Sequence, residues 1–232
     1  MGSTRVALRS SGSGTRRPAG VNPIDGKIRS GAMEAIFPTP LPAVLGVDVA
    51  LPVAAETATR ALNLLRIGAG DTLLIHGASG GVGQLAVQLA ADRGATVIGT
   101  ASEANQDRVR DLGATPTTYG RGPVDRVRAL APDGVDAVLD VAGKGALPAS
   151  IELRGGTDRI VTIADGAAQQ LGVVFTAGPE QRSAANLAAA VDRLVRGELT
   201  ATVAAVFPFA EAAAAHRLSD GGHAGGKVVL VP

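Results

Sequence analysis

The amino-acid sequence predicts an α/β fold built around a doubly wound parallel sheet. From residue 71 onward, short apolar segments alternate with segments of helical period, and this alternation is typical of parallel strands with helices on both faces of the sheet. Hydrophobic residues make up 46% of the 232 residues, whereas aromatic residues make up only 2%. A core built from Ala, Val, Leu and Ile suits strands that are buried on both faces.

The alternation predicts each element in turn. Strands are predicted over residues 72–77, 95–100, 117–119, 135–141 and 159–164, with an edge strand over 171–176. Helices are predicted over residues 54–67, 81–93, 103–112, 123–131, 146–153 and 180–196. Ser102 is expected to cap the third of these helices, and helical spacing predicts an inward face in the last one, formed by Leu187, Val191, Leu194 and Val195. Residues 202–232 are predicted to form a strand, a helix, a glycine-rich turn and a final strand.

The segments before residue 54 give weaker signals. Residues 1–20 are rich in Ser, Gly and Arg and are predicted to form a disordered tail. Their acid-poor composition leaves a transit peptide as the alternative. Residues 21–53 carry several prolines and glycines and are expected to be irregular, with one short strand.

The composition also excludes several classes of function. A formal net charge of +1 gives no electrostatic case for binding nucleic acid or an acidic membrane surface. The absence of cysteine excludes disulfides and thiolate metal sites, and His76, His216 and His223 lack the spacing of metal ligands, so no metal is expected. Because the sequence has no apolar run of membrane-spanning length and no secretory signal, we expect a cytoplasmic protein.

The most informative segment is the glycine-rich run IHGASGGVG from Ile75 to Gly83, between a predicted strand and a predicted helix. A Rossmann domain places its dinucleotide fingerprint in this context, because glycines let the backbone approach a pyrophosphate and the helix N-terminus offers N–H groups to it. The match to G-x-G-x-x-G is imperfect, since Ala78 takes the first glycine position when the motif is aligned on Gly80 and Gly83. A turn that needs glycine only for tight packing is the alternative.

The residues after the second strand bear on the choice of cofactor. An NAD site usually has an acid about 20 residues beyond the glycines, where it holds the ribose 2′-hydroxyl. The only such acid here is Glu103, in the first turn of the next helix, where the helix dipole makes acids common in any case. Ser102, Asn105 and Arg108 are candidates for contacts with a 2′-phosphate, although Asn105 and Arg108 also fit an ordinary solvated helix start. The sequence therefore favours NADPH over NADH.

Several stretches in a fixed order carry a resemblance to a known family. They are GVNPIDGKIRSG (20–31), LPAVLGVDVA (41–50), LPVAAETATRAL (51–62), DTLLIHGASGGVGQLAVQLA (71–90), VIGTAS (97–102), LGAT (112–115), Tyr119 and AAAAHRLSDGGHAGGKVVLVP (212–232). Together they resemble the zinc-free, quinone oxidoreductase-like branch of the medium-chain dehydrogenases/reductases. The resemblance covers nearly the whole chain from residue 20 onward.

This resemblance implies reduction of quinones or α,β-unsaturated carbonyl compounds by hydride transfer from NADPH. It implies a catalytic set beside the nicotinamide and the substrate, formed by Asn22, Lys27 and Thr57. The turn, the 2′-phosphate argument and the resemblance together give the candidate cofactor contacts Ala78, Ser79, Gly80, Gly81, Val82, Gly83, Thr100, Ser102, Arg108, Tyr119 and Lys227. Several of these also have purely structural readings: a turn residue before proline (Asn22), solvated charges (Lys27, Lys227), a helix-surface residue (Thr57) and a strand aromatic (Tyr119).

The sequence departs from the family pattern between Ala50 and Leu51, where the middle of the family's GroES-like barrel is missing. We therefore expect a truncated GroES-like substrate domain over residues 21–53 and 200–232, beside a dinucleotide-binding Rossmann domain over residues 54–199. A shortened barrel exposes strand edges and apolar surface at the substrate cleft. The cofactor expectation is thus independent of the fate of the barrel.

The missing barrel leaves three hypotheses for function. The first is an NADPH-dependent reductase, the second a truncated relative that binds NADPH as a module or catalyses a non-redox cyclisation or dehydration, and the third a remnant without activity. Asp25, Glu56 and His76 are available acids and bases, but each also has a structural explanation. The apolar edge strand over residues 171–176 is expected to support a homodimer, because such an edge invites pairing.

Overall fold

The computed structural model describes residues 19–30, 51–176, 183–222 and 224–232. The chain divides into two compact units, one formed by Met1–Val53 with Ala201–Pro232 and the other by Ala54–Thr200. Most of the predicted tail, residues 1–18, lies outside the described residues, as do the stretch 41–50 of the family resemblance, the predicted start of the last long helix at residue 180, and His223. In the described part of the chain, no helix combines the length and apolarity that crossing a membrane requires.

The elements follow one another in a regular order. The strands are β1 (Ala19–Val21), β2 (Thr72–His76), β3 (Thr96–Ala101), β4 (Thr115–Thr118), β5 (Ala137–Asp140), β6 (Ile160–Thr162), β7 (Val174–Phe175), β8 (Val203–Pro208) and β9 (Lys227–Val231). The helices are α1 (Pro23–Arg29), α2 (Leu51–Leu64), α3 (Gly83–Asp92), α4 (Gln106–Asp111), α5 (Pro123–Leu130), α6 (Leu147–Arg154), α7 (Ala184–Arg196) and α8 (Ala212–Asp220).

The larger unit contains a six-stranded sheet in the order β4-β3-β2-β5-β6-β7. Every neighbouring pair in this sheet is parallel, which confirms the predicted doubly wound parallel fold. The strand order reverses between β2 and β5. In sheets of this kind ligands bind outside the carboxyl ends of the strands at such a switch point.

The composition of β2 explains its place at the centre of the sheet. Leu73, Leu74 and Ile75 follow one another along the strand and are all fully buried. Because neighbouring side chains of a strand point to opposite faces, both faces of β2 are covered. Burial of each such side chain stabilises the fold by about 1.5–3 kcal/mol. Leu74 belongs to a core cluster that includes Ile98, Val138, Leu147 and Ile160.

The helix after β3 begins differently from the prediction. Ser102 does not cap it: no backbone N–H of the helix donates to its side chain, and its Oγ instead accepts a hydrogen bond from Asn105 Nδ2 at 2.8 Å. A short 3-10 turn over Glu103–Asn105 precedes α4. The amide of Asn105 competes with the backbone for the serine hydroxyl, which is a common behaviour of short polar side chains at helix starts.

The buried face of α7 is narrower than the helical spacing predicts. Leu187, Val191 and Leu194 are partly buried as expected, but Val195 is 69% exposed, so its predicted inward position is wrong. The fully buried residue of this helix is Ala190. Positions 187, 190, 191 and 194 form a single stripe of three- and four-residue spacing, and Val195 lies beside that stripe rather than on it.

The amino ends of the strands are held by an ion pair with several hydrogen bonds. Arg159, just before β6, donates from both terminal nitrogens to the carboxylate of Asp71, just before β2, at 2.9 and 2.8 Å. Gly68 N–H donates to the same carboxylate and Arg159 Nε donates to the Leu65 carbonyl. The hydrogen bond from Arg159 lowers the pKa of Asp71, and partial burial opposes this shift.

The smaller unit contains a three-stranded sheet in the order β1-β9-β8. β1 runs antiparallel to β9 and β8 runs parallel to it. Val21, Ala215 and Val228 form its small buried cluster, with Phe207 and Leu230 packed against them. The strand–helix–turn–strand order predicted for residues 202–232 is confirmed by β8, α8 and β9.

One helix of this unit was not expected. The sequence predicts irregular structure after residue 21, yet α1 begins at Pro23. Proline fits the first helical position, and the Asp25 carboxylate accepts a hydrogen bond from the Asn22 backbone N–H at 2.9 Å. Gly26 weakens the helical signal locally, but a side chain there would collide with Asp220, whose Cγ lies 3.1 Å from the position of a Cβ. Gly26 therefore lies where α1 approaches the end of α8.

Candidate functional site

The glycine-rich turn between β2 and α3 is fastened to the end of β3. Gly77 adopts a left-handed backbone conformation with φ of +82°, which favours glycine. Its N–H donates to Thr100 Oγ1 at 3.2 Å, and the N–H of Ala78 donates to the Thr100 carbonyl at 2.9 Å. The turn then closes on itself through a 3.0 Å bond from Gly80 N–H to the Gly77 carbonyl. Thr100 therefore shapes the turn from its side chain and its backbone.

Close packing requires glycine at both ends of this turn. A Cβ at Gly83 would lie 2.8 Å from the Cα of Ala78, too close for any side chain. A Cβ at Gly77 would come within 3.2 Å of both Val141 and Ala142, which follow β5. Tight packing, the alternative explanation for these glycines, is thus confirmed for Gly83. The absence of a side chain there allows the start of α3 to pack against the turn.

The mouth of α3 presents unpaired backbone donors. No acceptor for the N–H groups of Ser79, Gly81 and Val82 is found among the residues that the structure describes. The first turn of α3 contains no acidic residue to oppose an anion. Free N–H groups together with the positive end of a helix dipole form a favourable anion site, and the glycine backbone leaves room for a pyrophosphate to approach.

A cavity of about 280 Å³ opens beyond the carboxyl ends of β3 and β4. It brings together two of the predicted cofactor contacts and the acid that competes with them. Tyr119 follows the last residue of β4 and is 56% exposed, so it is not a strand aromatic. The cavity is lined by Ala101, Ser102, Glu103, Thr118 and Tyr119.

Gln106 was not predicted from the sequence, and it joins the ends of β3 and β4. Its Nε2 donates to the carbonyls of Ala101 at 3.0 Å and Thr117 at 3.1 Å. The bonds fix the spacing between β3 and β4 where the cavity opens. Arg108 lies two residues further along α4, is half-buried, and is not among the described residues that line the cavity.

A buried polar group lies at the carboxyl ends of β5 and β6. Asp140 and Thr162 are completely buried. Asp140 Oδ1 accepts from the N–H groups of Ala142 and Gly143 at 3.0 and 3.1 Å, and Thr162 Oγ1 donates to Asp140 Oδ2 at 2.8 Å. Every oxygen of this buried carboxylate therefore has a donor, as a buried charge requires.

His76 ends β2 beside Asp140 and is only 5% exposed. Its Nε2 lies 3.1 Å from Ser150 Oγ, and that hydroxyl donates to the Ala146 carbonyl at 2.8 Å. Since the serine proton is engaged there, the histidine donates through Nε2–H. Burial lowers the pKa of His76, and the charge of Asp140 opposes this shift. The His76 side chain therefore links the end of β2 to α6 through Ser150.

Glu56 and Arg60 form a buried pair on α2, beside the predicted catalytic residue Thr57. Glu56 is 1% exposed and Arg60 8% exposed. Arg60 Nε lies 3.8 Å from the carboxylate, while Arg60 Nη1 donates to Thr176 Oγ1 after β7. Within the described part of the chain, neither oxygen of Glu56 has a hydrogen-bond donor. Thr57 itself is half-buried, which excludes a fully exposed helix-surface position.

The remaining predicted residues belong to the smaller unit. Lys227 is only 4% exposed, so it is not a solvated charge, and its Nζ lies 2.5 Å from Asn22 Oδ1. The structure thus brings Asn22 and Lys227 together across β1 and β9. Lys27 is half-buried on α1.

The described residues do not fit a resident zinc ion. The sequence contains no cysteine, and nowhere in residues 19–30, 51–176, 183–222 and 224–232 do three or more His, Asp or Glu side chains converge as a metal site needs. His76 is committed to Ser150.

Comparison with known proteins gives one family match and many relatives. The model of the family described as zinc-binding dehydrogenase matches residues 107–230. A 2-haloacrylate reductase of Burkholderia sp is 34% identical over 188 residues, which are 70% of this chain and 56% of that protein. A quinone oxidoreductase of Rattus norvegicus is 34% identical over 131 residues, which are 53% of this chain and 40% of that protein. The chain spans about half the length of these curated relatives.

Solved structures show the same likeness along nearly the whole chain. The quinone oxidoreductase from Coxiella burnetii superposes with a TM-score of 0.76 and 26% sequence identity. The superposition covers 92% of this chain and 88% of that one.

Proposed function

Because the chain belongs to the zinc-binding dehydrogenase family of medium-chain dehydrogenases/reductases, we propose that it is an oxidoreductase that uses NADPH to reduce quinones or α,β-unsaturated carbonyl compounds. The observation that carries this proposal is the turn from Gly77 to Gly83. It lies at the switch point of the sheet, presents N–H groups at the mouth of α3 that have no acceptor among the described residues, and admits no side chain at Gly83. Residues 54–199 then form the cofactor domain, and residues 21–53 and 200–232 the substrate domain.

The pyrophosphate of the cofactor would accept hydrogen bonds from the N–H groups of Ser79, Gly81 and Val82. The adenosine 2′-phosphate would occupy the cavity at the ends of β3 and β4, where the hydroxyls of Ser102 and Tyr119 are donors. Glu103 lines the same cavity but is exposed on a short turn, so its side chain is able to swing into solvent. These donors support NADPH over NADH.

The names of two relatives support this substrate class. A 2-haloacrylate and a quinone each contain a carbon–carbon double bond conjugated to a carbon–oxygen double bond, so each has an electrophilic carbon and an oxygen that gains charge as the carbon is reduced. When bound, NADPH would supply the hydride for that carbon. Such catalysis depends on positioning the reactants and on donors aimed at the oxygen.

Among the residues of this chain, Asn22 is the proposed donor to the substrate oxygen. Lys227 Nζ donates to Oδ1 of Asn22, and this bond fixes the orientation of an amide whose Nδ2 is a hydrogen-bond donor. Thr57 is proposed to contact the nicotinamide. Lys227 acts here through Asn22 and is a positioning residue rather than a catalytic one.

The proposal is tested by the loss of NADPH absorbance when the purified chain is mixed with 2-haloacrylate, a small enone or a benzoquinone. We expect turnover with at least one acceptor, a lower rate with NADH, and loss of kcat in Asn22→Ala with little change in NADPH affinity. NADPH binding without turnover on any acceptor would overturn the reductase assignment. The chain's span of about half of its relatives would then favour a cofactor-binding module.

Strand β7 supports the proposal of a homodimer. It lies at one edge of the six-stranded sheet, and Val174 is 51% exposed there. Light scattering at micromolar concentration should give twice the mass of the chain, and Val174→Lys should return it to the monomer. A monomer in the unmodified chain would remove this part of the proposal.

A further inference from the structure

Two buried polar side chains at the switch point have no part in the mechanism above. Asp140 and Thr162 end the neighbouring strands β5 and β6, and neither is exposed at all. A buried carboxylate is expensive unless it is fully hydrogen-bonded. Asp140 receives three hydrogen bonds, two from backbone N–H groups and one from Thr162. The interaction between Asp140 and Thr162 is thus a fully hydrogen-bonded part of the fold.

The two side chains organise two loops at once. Asp140 holds the N–H groups of Ala142 and Gly143 in the turn after β5. Thr162 Oγ1 accepts from the N–H groups of Ala164 and Asp165 in the turn after β6, at 3.1 and 3.0 Å. Its own hydroxyl proton goes to Asp140, so a single chain of hydrogen bonds crosses from one loop to the other.

The two turns also interlock through their backbones. Gly143 has a positive φ of +61°, and a Cβ there would lie 2.8 Å from the Cβ of Ala164. On the other side, Val141 and Ala142 lie 3.2 Å from the position of a Cβ at Gly77. The turn after β5 therefore lies between the glycine turn and the turn after β6.

The two interlocked turns lie on one side of β2. The adenosine cavity is at the ends of β3 and β4, and the interlocked turns follow β5 and β6 on the opposite side of β2. A dinucleotide bound at a switch point spans both halves of such a sheet. The turns held by Asp140 and Thr162 are therefore on the half opposite the adenosine.

We infer that Asp140 and Thr162 are positioning residues for the nicotinamide half of the cofactor, since their hydrogen bonds set the turns against which that half rests. This inference depends on the proposed function, and it predicts an effect confined to one half of the ligand. The pair shapes the nicotinamide half of the crevice and leaves the adenosine half unchanged.

The test compares two ligands in the full chain: NADPH, and adenosine 2′,5′-bisphosphate, which lacks the nicotinamide half. Asp140→Asn keeps the volume of the side chain and removes its negative charge. In one of the two orientations of the new amide, its nitrogen also faces the Thr162 hydroxyl. We expect the Kd for NADPH to rise about tenfold, which corresponds to ~1.4 kcal/mol. The Kd for the bisphosphate should stay within about twofold. Equal changes for both ligands, or none for either, would overturn the inference.

Asp136→Asn is the matched control. Asp136 lies just before β5, at its other end, and its Oδ2 accepts from Thr72 N–H at 2.8 Å. This control should leave both Kd values unchanged even where it lowers the melting temperature. A milder pair of variants covers the case in which Asp140→Asn does not fold: Thr162→Ser should retain NADPH affinity, whereas Thr162→Val should weaken it.

Amide hydrogen exchange separates failure of this inference from failure of the proposed function. If the unmodified chain binds no NADPH, the proposed function fails. The exchange of Ala142, Gly143, Ala164 and Asp165 then tests the linkage between the loops by itself. Thr162→Val should accelerate exchange in both turns, and acceleration confined to Ala164 and Asp165 would contradict the coupling.

Discussion

Gly83 and Ala78 pack backbone against backbone, so closely that a Cβ on Gly83 would lie 2.8 Å from the Cα of Ala78 and 2.9 Å from its carbonyl carbon. This contact fixes where α3 begins relative to the turn after β2. The N–H groups proposed to hold the pyrophosphate lie between these two residues. The geometry of the candidate site thus depends on the absence of a side chain at one position.

Gly83→Ala should therefore damage both the fold and the site. Overpacking of this kind destabilises by about 1–3 kcal/mol, and displacement of α3 should weaken NADPH binding more than tenfold. Gly156→Ala is the control, because a Cβ there meets nothing within 4 Å. Urea unfolding and fluorescence titration measure the two effects. Normal NADPH affinity in Gly83→Ala would show that the turn is not the binding site.

Glu103→Gln should increase the preference for NADPH over NADH. Glu103 lines the cavity assigned to the 2′-phosphate, and removing its charge removes a repulsion of roughly 1 kcal/mol in a solvent-exposed setting. The ratio of NADH to NADPH dissociation constants should rise about threefold to tenfold. Asp107→Asn, on the exposed side of α4, should leave it unchanged. A ratio that falls in Glu103→Gln would place the 2′-phosphate elsewhere.

The stability of the protein should fall as the pH drops below the ordinary histidine value of about 6.5. Burial lowers the pKa of His76 in the folded chain, so the unfolded chain binds a proton at a higher pH than the folded chain does. The contribution of the neutral His76 ring to stability is complete at a pH above its pKa in the unfolded chain. It is lost as the pH falls toward the pKa of His76 in the folded chain, at up to ~1.4 kcal/mol per pH unit. Urea unfolding of His76→Gln between pH 7 and pH 5 should show a flatter profile. An equally steep profile would exclude His76 as the cause.

Arg159→Gln should destabilise the amino ends of the sheet without affecting the cofactor. We expect a loss of about 1 kcal/mol at pH 7, because both partners are partly exposed and solvent screens the pair. The hydrogen bond from Arg159 lowers the pKa of Asp71 in the folded chain. The pair therefore contributes its full stability above the pKa that Asp71 has in the unfolded chain, and this contribution disappears as the pH falls through the pKa in the folded chain. The difference between variant and parent in urea unfolding should therefore shrink in acid. A constant difference would mean that the carboxylate has no part in it.

The double variant Glu56→Met/Arg60→Met should be at least as stable as the parent chain. The Glu56 carboxylate is buried with no hydrogen-bond donor among the described residues, and Arg60 Nε lies 3.8 Å away. Replacement of a buried ion pair by apolar side chains is commonly neutral or stabilising by about 1–4 kcal/mol. The melting temperature measures this directly. A clear loss of stability would indicate that the pair is well compensated by other contacts of Arg60.

The sheet and the glycine turn could be predicted because their signals are local. Leu73, Leu74 and Ile75 form a short apolar run of the kind found in strands buried on both faces, and the glycine-rich turn begins two residues later. The helix α1 could not be predicted in the same way. Gly26 weakens its local signal, and α1 packs near Asp220 at the end of α8, which is distant in the sequence.

The supporting polar residues of the candidate site were missed for a related reason. Asp140 and Thr162 each end a short apolar strand, and nothing in either segment indicates that they will pair. Their bond arises from the register between β5 and β6, in which these two residues are direct partners. Gln106 likewise acts on two strand ends that come together only in the folded sheet. The register between two strands depends on the tertiary structure, and the local sequence of either strand does not predict it.

A crystal structure of the chain with NADPH would show whether the turn after β2 holds the cofactor. We predict that the diphosphate oxygens accept hydrogen bonds from the backbone N–H groups of Ser79, Gly81 and Val82, with the 2′-phosphate between Ser102 and Tyr119. A diphosphate bound elsewhere, or side chains filling the mouth of α3 in the complex, would contradict it.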